Sequence, residues 1–174
     1  MADIRAVCAY ASGSDSDRNK AELYALIHDD DDRVGYNALW IMTHFAPDSM
    51  SWLYIRRDEL IDRVLTEEHT GKRRLILTLL ERMPVSAADV RTDYLDFCLA
   101  HINSIDPYGV RVLCMKQAYA QCQWFPELLA EFISTVNMLD GGEISAGLRA
   151  ARKNILAAIA DGARKKHHVK QNQA

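Results

Sequence analysis

The stretch YGVRVLCMKQA, residues 108–118, decides the fold because it has three counterparts in the same chain. DRVGYNALWIM begins at Asp32, TGKRRLILTLL at Thr70 and AGLRAARKNIL at Ala146, so the four starts are separated by a constant 38 residues. Gly71, Gly109 and Gly147 share one column, where the first segment has Arg33. Arg73, Arg111 and Arg149 share another, where it has Gly35. One apolar column holds Ile41, Leu79 and Ile155 with Gln117 as its exception, and the next holds Met42, Leu80, Ala118 and Leu156. Upstream, Leu26, Val64 and Ile102 align, as do Leu23, Ile61 and Leu99. The fourth segment slips there, and DGGE at 140–143 supplies the slack. Glycines and arginines in register carry more weight than apolar columns, which any helical bundle produces.

Apolar residues recur at three and four positions, as in Leu95, Cys98, Leu99 and Ile102, which is the period of an amphipathic helix. Strictly alternating β-branched runs are absent, so the chain reads as all-α. Helices are expected near 3–11, 18–29, 32–46, 51–67, 71–83, 87–104, 108–122, 126–139 and 145–162. Short connections make consecutive helices antiparallel neighbours. Asp31 or Asp32, Ser51 and Ser145 are the expected N-caps, and Pro107 and Pro126 suit a first helical turn.

Each repeat is therefore a hairpin of helix A then helix B, too small to bury its own apolar stripes and stable only when stacked. A two-helix unit of this length, with small or apolar residues and an arginine opening helix B, resembles the HEAT and armadillo repeat superfamily. DPYGVRVLCMKQA is the closest segment, with Asp106, Val110 and Arg111 where such units carry Asp, Val and Arg. The resemblance implies an α-α superhelix of about four hairpins. These are 18–46, 51–83, 87–122 and 126–162, preceded by a helix at 3–11, in one domain over 1–163 with a basic tail at 164–174. It also implies that the repeat arginines Arg73, Arg111 and Arg149 are structural, bonding an acid near the preceding corner, such as Asp106 for Arg111 or Glu143 for Arg149. A ladder of arginines holding an anionic ligand is the alternative.

Asp29, Asp30, Asp31 and Asp32 fall at the first A-to-B corner, where carboxylates cap free N–H groups and face the positive end of the helix dipole. A calcium loop needs spaced ligands and a glycine, not four contiguous acids. Cys8, Cys98, Cys114 and Cys122 lack the paired spacing of a zinc site and read as buried thiols. No nucleophile elbow, phosphate loop or metalloprotease pattern occurs, so no metal, cofactor or catalytic residue is expected. No apolar run approaches the roughly 18 residues that span a bilayer. The N-terminus makes a poor signal peptide, and a cytoplasmic protein is expected.

Function is expected on the B helices, which line the concave groove of such arrays. Tyr36, Arg74, Val112 and Ala150 share one column, and Trp40, Thr78, Lys116 and Asn154 another. The expected partner-binding residues are Tyr36, Trp40, Arg74, Thr78, Lys116 and Asn154, holding a protein, peptide or second copy. Tyr36 and Trp40 also fit as core residues of an atypical first repeat. The formal charge of −3 argues against nucleic acid. A continuous positive face through Arg74, Arg111, Lys116, Arg149, Arg152 and Lys153 would favour it, as in HEAT-like DNA-alkylation-repair proteins. An enzyme whose site is invisible in sequence is a third reading.

Overall fold

The computed structural model describes residues 4–11, 16–139 and 144–171, with side chains over 6–11, 16–139 and 144–162. Every regular element among them is helical. Contacts divide the chain into two compact units, Met1–Pro84 and Val85–Ala174.

The N-terminal unit contains α1 (Ile4–Ala11), α2 (Ser16–Ala25), α3 (Asp32–Met42), α4 (Pro47–Tyr54), α5 (Arg57–Thr66) and α6 (Thr70–Glu81). The B helices α3 and α6 lie against each other, α5 packs on α6, and α1 and α2 cover α3. Leu39, Met42, Leu53, Leu60, Ile61, Val64, Ile76 and Leu79 are at most 1% exposed and form the core. The expected single helix over 51–67 is two helices. Pro47 starts α4 because its fixed φ suits the first turn. Ser51 is therefore no N-cap but lies inside α4, donating to the Asp48 carbonyl at 2.6 Å. The chain then breaks at Arg56 (φ −106°, ψ 15°), whose guanidinium turns back to the Trp52 carbonyl at 3.1 Å and lies 3.6 Å from the Trp52 ring centroid.

α2 also ends earlier than expected, tightening into a 3₁₀ turn over Leu26–His28. That tightening moves the inward position by one residue. Leu26 of the repeat column is 42% exposed, and Ile27 is buried in its place. The same turn explains why the first repeat lacks the arginine. A Cβ at Gly35 would stand 3.2 Å from the Ile27 carbonyl, so a side chain there would crowd the turn.

The C-terminal unit contains α7 (Thr92–Ile102), α8 (Tyr108–Cys122), α9 (Pro126–Asn137) and α10 (Ala146–Gln171). α8 packs on α7, α9 and α10, and α7 also meets α9. Tyr94, Cys98, Ile102, Val110, Cys114, Met115, Phe132, Val136 and Leu148 are fully buried. Residues 87–89, expected in the helix of this hairpin, form a separate 3₁₀ turn closed by a Ser86–Asp89 capping box. Ser145 Oγ accepts the Leu148 N–H at 3.2 Å, as expected of an N-cap. α10 runs on through the segment expected as a tail from 164.

The repeat arginines bond to main-chain carbonyls beside their own corners. Arg73 donates from Nε and Nη2 to the Glu67 carbonyl at 3.1 and 2.8 Å. Arg111 Nε reaches the Ile102 carbonyl at 2.9 Å, and Arg149 Nη2 the Ile144 carbonyl at 3.1 Å. Asp106, the expected partner of Arg111, instead accepts from Ser104 Oγ at 2.6 Å and stands 3.7 Å from His101 Nε2. Glu143 lies outside the described residues. A guanidinium suits this task because its planar fork reaches carbonyls that the helix end leaves without donors. Replacing Arg111 with Ala should lower stability by about 1.5–3 kcal/mol, the range for a hydrogen bond from a charged group. Arg111→Lys should recover only part of it, both read from urea denaturation midpoints.

Candidate functional site

The four aspartates sit where the first hairpin turns, and three of their carboxylates have protein donors. Asp29 Oδ1 accepts from the Asp31 N–H at 2.9 Å, and Asp31 Oδ1 caps α3 by accepting from the Arg33 N–H at 2.8 Å. Asp32 Oδ1 receives Lys72 Nζ at 2.6 Å, an ion pair between the first and second hairpins of the N-terminal unit.

Lys72 escaped the sequence reading. It occupies a column filled elsewhere by Val34, Val110 and Leu148, and the charge in an otherwise apolar column was the available signal. The lysine is 4% exposed, 3.5 Å from the equally buried Glu67, which also pairs with Arg63 at 3.1 Å. Glu67 Oε1 accepts the His69 N–H at 2.9 Å, and His69 Nδ1 accepts the Lys72 N–H at 3.2 Å. A buried charge is tolerated only when paired and hydrogen-bonded in this way.

Tyr36 stands beside this corner. Its ring meets His69 edge-on, with centroids 6.2 Å apart. Gly71 lets α6 begin there, because a Cβ would come within 3.0 Å of Tyr36 Cε2 and 2.9 Å of His69 Cε1. Asp32, Arg33, Tyr36, Asn37 and His69 line an open cleft of about 360 Å³. One turn further along α3, Trp40 meets His44 at 5.1 Å between ring centroids. Tyr36 and Trp40 are both half-buried. On α6, Arg74 is exposed, while Thr78 is half-buried and donates to the Arg74 carbonyl at 2.8 Å. Tyr36, Trp40, Arg74 and Thr78 thus lie on two packed B helices of the N-terminal unit. Lys116 on α8 and Asn154 on α10 are exposed and belong to the C-terminal unit.

Two further clefts were not anticipated. In the N-terminal unit, Pro47, Met50, Tyr54, Met83 and Pro84 line an apolar cleft of about 530 Å³. At its side, Arg82 donates to the Thr43 and Phe45 carbonyls at 2.7 and 2.6 Å. In the C-terminal unit, a cleft of about 720 Å³ runs past Ser104, Tyr108, Arg111 and Leu139. Its rim carries Ile105, fully exposed, and Met138, 71% exposed.

Cys98 and Cys122 are buried and held in the thiol form. Burial pushes Cys122 up to about 12, and burial together with a hydrogen bond to Cys114 raises Cys98. Among the described residues no His, Cys, Asp and Glu side chains gather into a group able to hold a metal ion, and no helix is long and apolar enough to cross a membrane.

With stacked helical hairpins, corner arginines and a 38-residue period in place, comparison with known families is direct. The model of the HEAT repeat domain matches residues 1–159, and the chain belongs to that family. HEAT repeats generally mediate protein interactions. No curated protein and no solved structure matches the chain.

The Asp32–Lys72 pair carries a pH signature. The lysine's hydrogen bond and charge hold the Asp32 carboxyl below its ordinary value. A depressed folded value means that the stabilisation is complete above the unfolded aspartate value of about 3.9 and is lost as pH falls through the lower folded value. Asp32→Asn should therefore be less stable than the wild type at neutral pH. The gap should close below about pH 4, measured as the urea midpoint against pH.

Proposed function

We propose that the chain is a non-enzymatic protein-interaction scaffold that holds a peptide, a partner helix or a second copy of itself against the outward faces of its B helices. No cofactor enters this reading. The observation that carries it is the half-exposed Tyr36 and Trp40 on α3 beside the exposed Arg74 of α6. The neighbouring Arg73 is spent on the Glu67 carbonyl, whereas the Arg74 guanidinium has no hydrogen bond or ion pair among the described residues. Aromatic rings and arginine are the residues that dominate binding energy at interfaces. Rings held by neighbouring imidazoles lose little entropy on binding. Thr78 supplies a short edge to the face, and on the C-terminal unit Lys116 and Asn154 are exposed polar residues tested by themselves.

Family membership supports the class of function and leaves the occupant to experiment. The test is affinity capture from nuclease-treated lysate, identification of the captured protein, and titration of its purified form. Trp40→Ala and Arg74→Ala should each weaken that titration by roughly tenfold or more, as an interface hot spot does. Circular dichroism and melting should be unchanged. Lys116→Ala with Asn154→Ala reports on the C-terminal unit separately. A Trp40→Ala variant that melts far below the wild type would make Trp40 a core residue, and one that keeps full affinity would remove the α3 face from the reading.

A further inference from the structure

Charge in the C-terminal unit is sorted by helix. α7 and α9 contain Asp93, Asp96, Glu127 and Glu131 and no lysine or arginine. α8 and α10 contain Arg111, Lys116, Arg149, Arg152 and Lys153, and the α10 sequence continues with Arg164, Lys165, Lys166 and Lys170 against a single acid, Asp161. The chain's formal charge of −3 conceals this sorting, because acids elsewhere in the chain outweigh the cations of α8 and α10 in the sum.

The start of α10 runs against the helix's own preference. Carboxylates stabilise a helix N-terminus and cations do not. Yet α10 has no acid in its first turn, and Arg149, Arg152 and Lys153 follow within its first eight residues. Two of these are steadied by the fold through a single nitrogen each. Arg149 Nη2 bonds the Ile144 carbonyl and Arg152 Nη2 bonds Asn137 Oδ1, both at 3.1 Å. Lys153 is exposed. The helix dipole adds positive potential at the same end.

What surrounds these cations separates two kinds of anionic partner. The exposed neighbours are Ala146, Gly147, Ala150, Asn154, Ala157 and Ala158, all small, with no aromatic or large aliphatic side chain. A protein partner draws most of its affinity from such anchors, and among the described residues this face offers no aromatic ring and only the half-buried Leu156 and Ile159. A phosphate backbone needs only cations and side chains short enough to allow close approach. At about 1.5 Å per residue the 26 residues of α10 extend for about 39 Å, slightly more than one turn of B-form duplex. We propose that the outward face of α10 binds the phosphate backbone of nucleic acid without reading its sequence. This goes beyond the scaffold reading and does not rest on it, since Tyr36, Trp40 and Arg74, which carry that reading, lie in the other unit; the α10 face, Asn154 included, here takes a different occupant.

The test is fluorescence anisotropy of the full chain with a labelled duplex of about 20 base pairs and arbitrary sequence, repeated with a single strand of the same length. Contact with about three phosphates predicts a slope of about −2.7 in log K against log salt for the duplex, or roughly 40-fold weaker binding on a fourfold rise in salt. Ala150→Glu with Lys153→Glu places acids on exposed positions near the helix start, so folding should be intact or slightly improved. Its affinity should fall at least tenfold, while Trp40→Ala should bind like the wild type. Absence of binding at low salt, binding indifferent to salt, or full affinity in the double glutamate variant would each overturn the proposal. Tighter binding of poly-L-glutamate than of either nucleic acid would also overturn it and assign the face to acidic protein.

Discussion

Every helix that stops at a tight corner strands its last carbonyls, and in this chain an arginine from the opening turn of the following helix supplies the missing donors. Arg73 and Arg111 do this at two successive corners, and Arg149 instead bonds the Ile144 carbonyl in the loop that leads into its own helix. At those two corners the bond joins two helices within one hairpin, and in all three it fixes where helix B begins relative to the corner. That explains why the arginine stands three residues after the start of each aligned segment and why its period matches that of the hairpin. Each side chain costs rotamer entropy to hold, but an unpaired carbonyl at a half-buried corner costs more.

The first corner solves the same problem without that residue. The 3₁₀ turn over Leu26–His28 brings the Ile27 carbonyl so close to α3 that a side chain at position 35 would crowd it. The corner aspartates then cap α3 directly, and Asp32 extends the arrangement to Lys72 of the next hairpin. A buried lysine in a column of Val and Leu would be costly alone. With Glu67, Asp32 and Arg63 around it, it becomes the tie between neighbouring hairpins, and Tyr36, His69 and Gly71 pack against the same place. The candidate binding face on α3 is thus built on a polar corner, which keeps its rings in position while leaving them half-exposed.

The two units present different surfaces on the same kind of helix. α3 offers aromatic rings beside an uncommitted guanidinium, whereas α10 offers cations among alanines and glycines. Aromatic anchors and bare charge select different partners, because the first gains from burying apolar area and the second from releasing counterions. A repeat framework permits this divergence. The inward columns must be kept for stacking, and the outward columns are free to change from one hairpin to the next.

Much of this was legible in the amino-acid sequence. The 38-residue period, the all-helical character, the B-helix segments and the arginine column follow from spacing alone, because helical periodicity and the need to stack hairpins leave few other solutions. Tertiary structure alone decided what those residues touch. It turned the arginines to carbonyls rather than to Asp106 and broke the helix at Arg56, where the guanidinium folds over Trp52. It also replaced Leu26 with Ile27 in the core and made Lys72 the centre of an ion cluster. Each of these outcomes depends on distances of a few tenths of an ångström between segments far apart in the chain. A residue's position in a pattern shows which face it occupies, and only packing determines which atom it meets there.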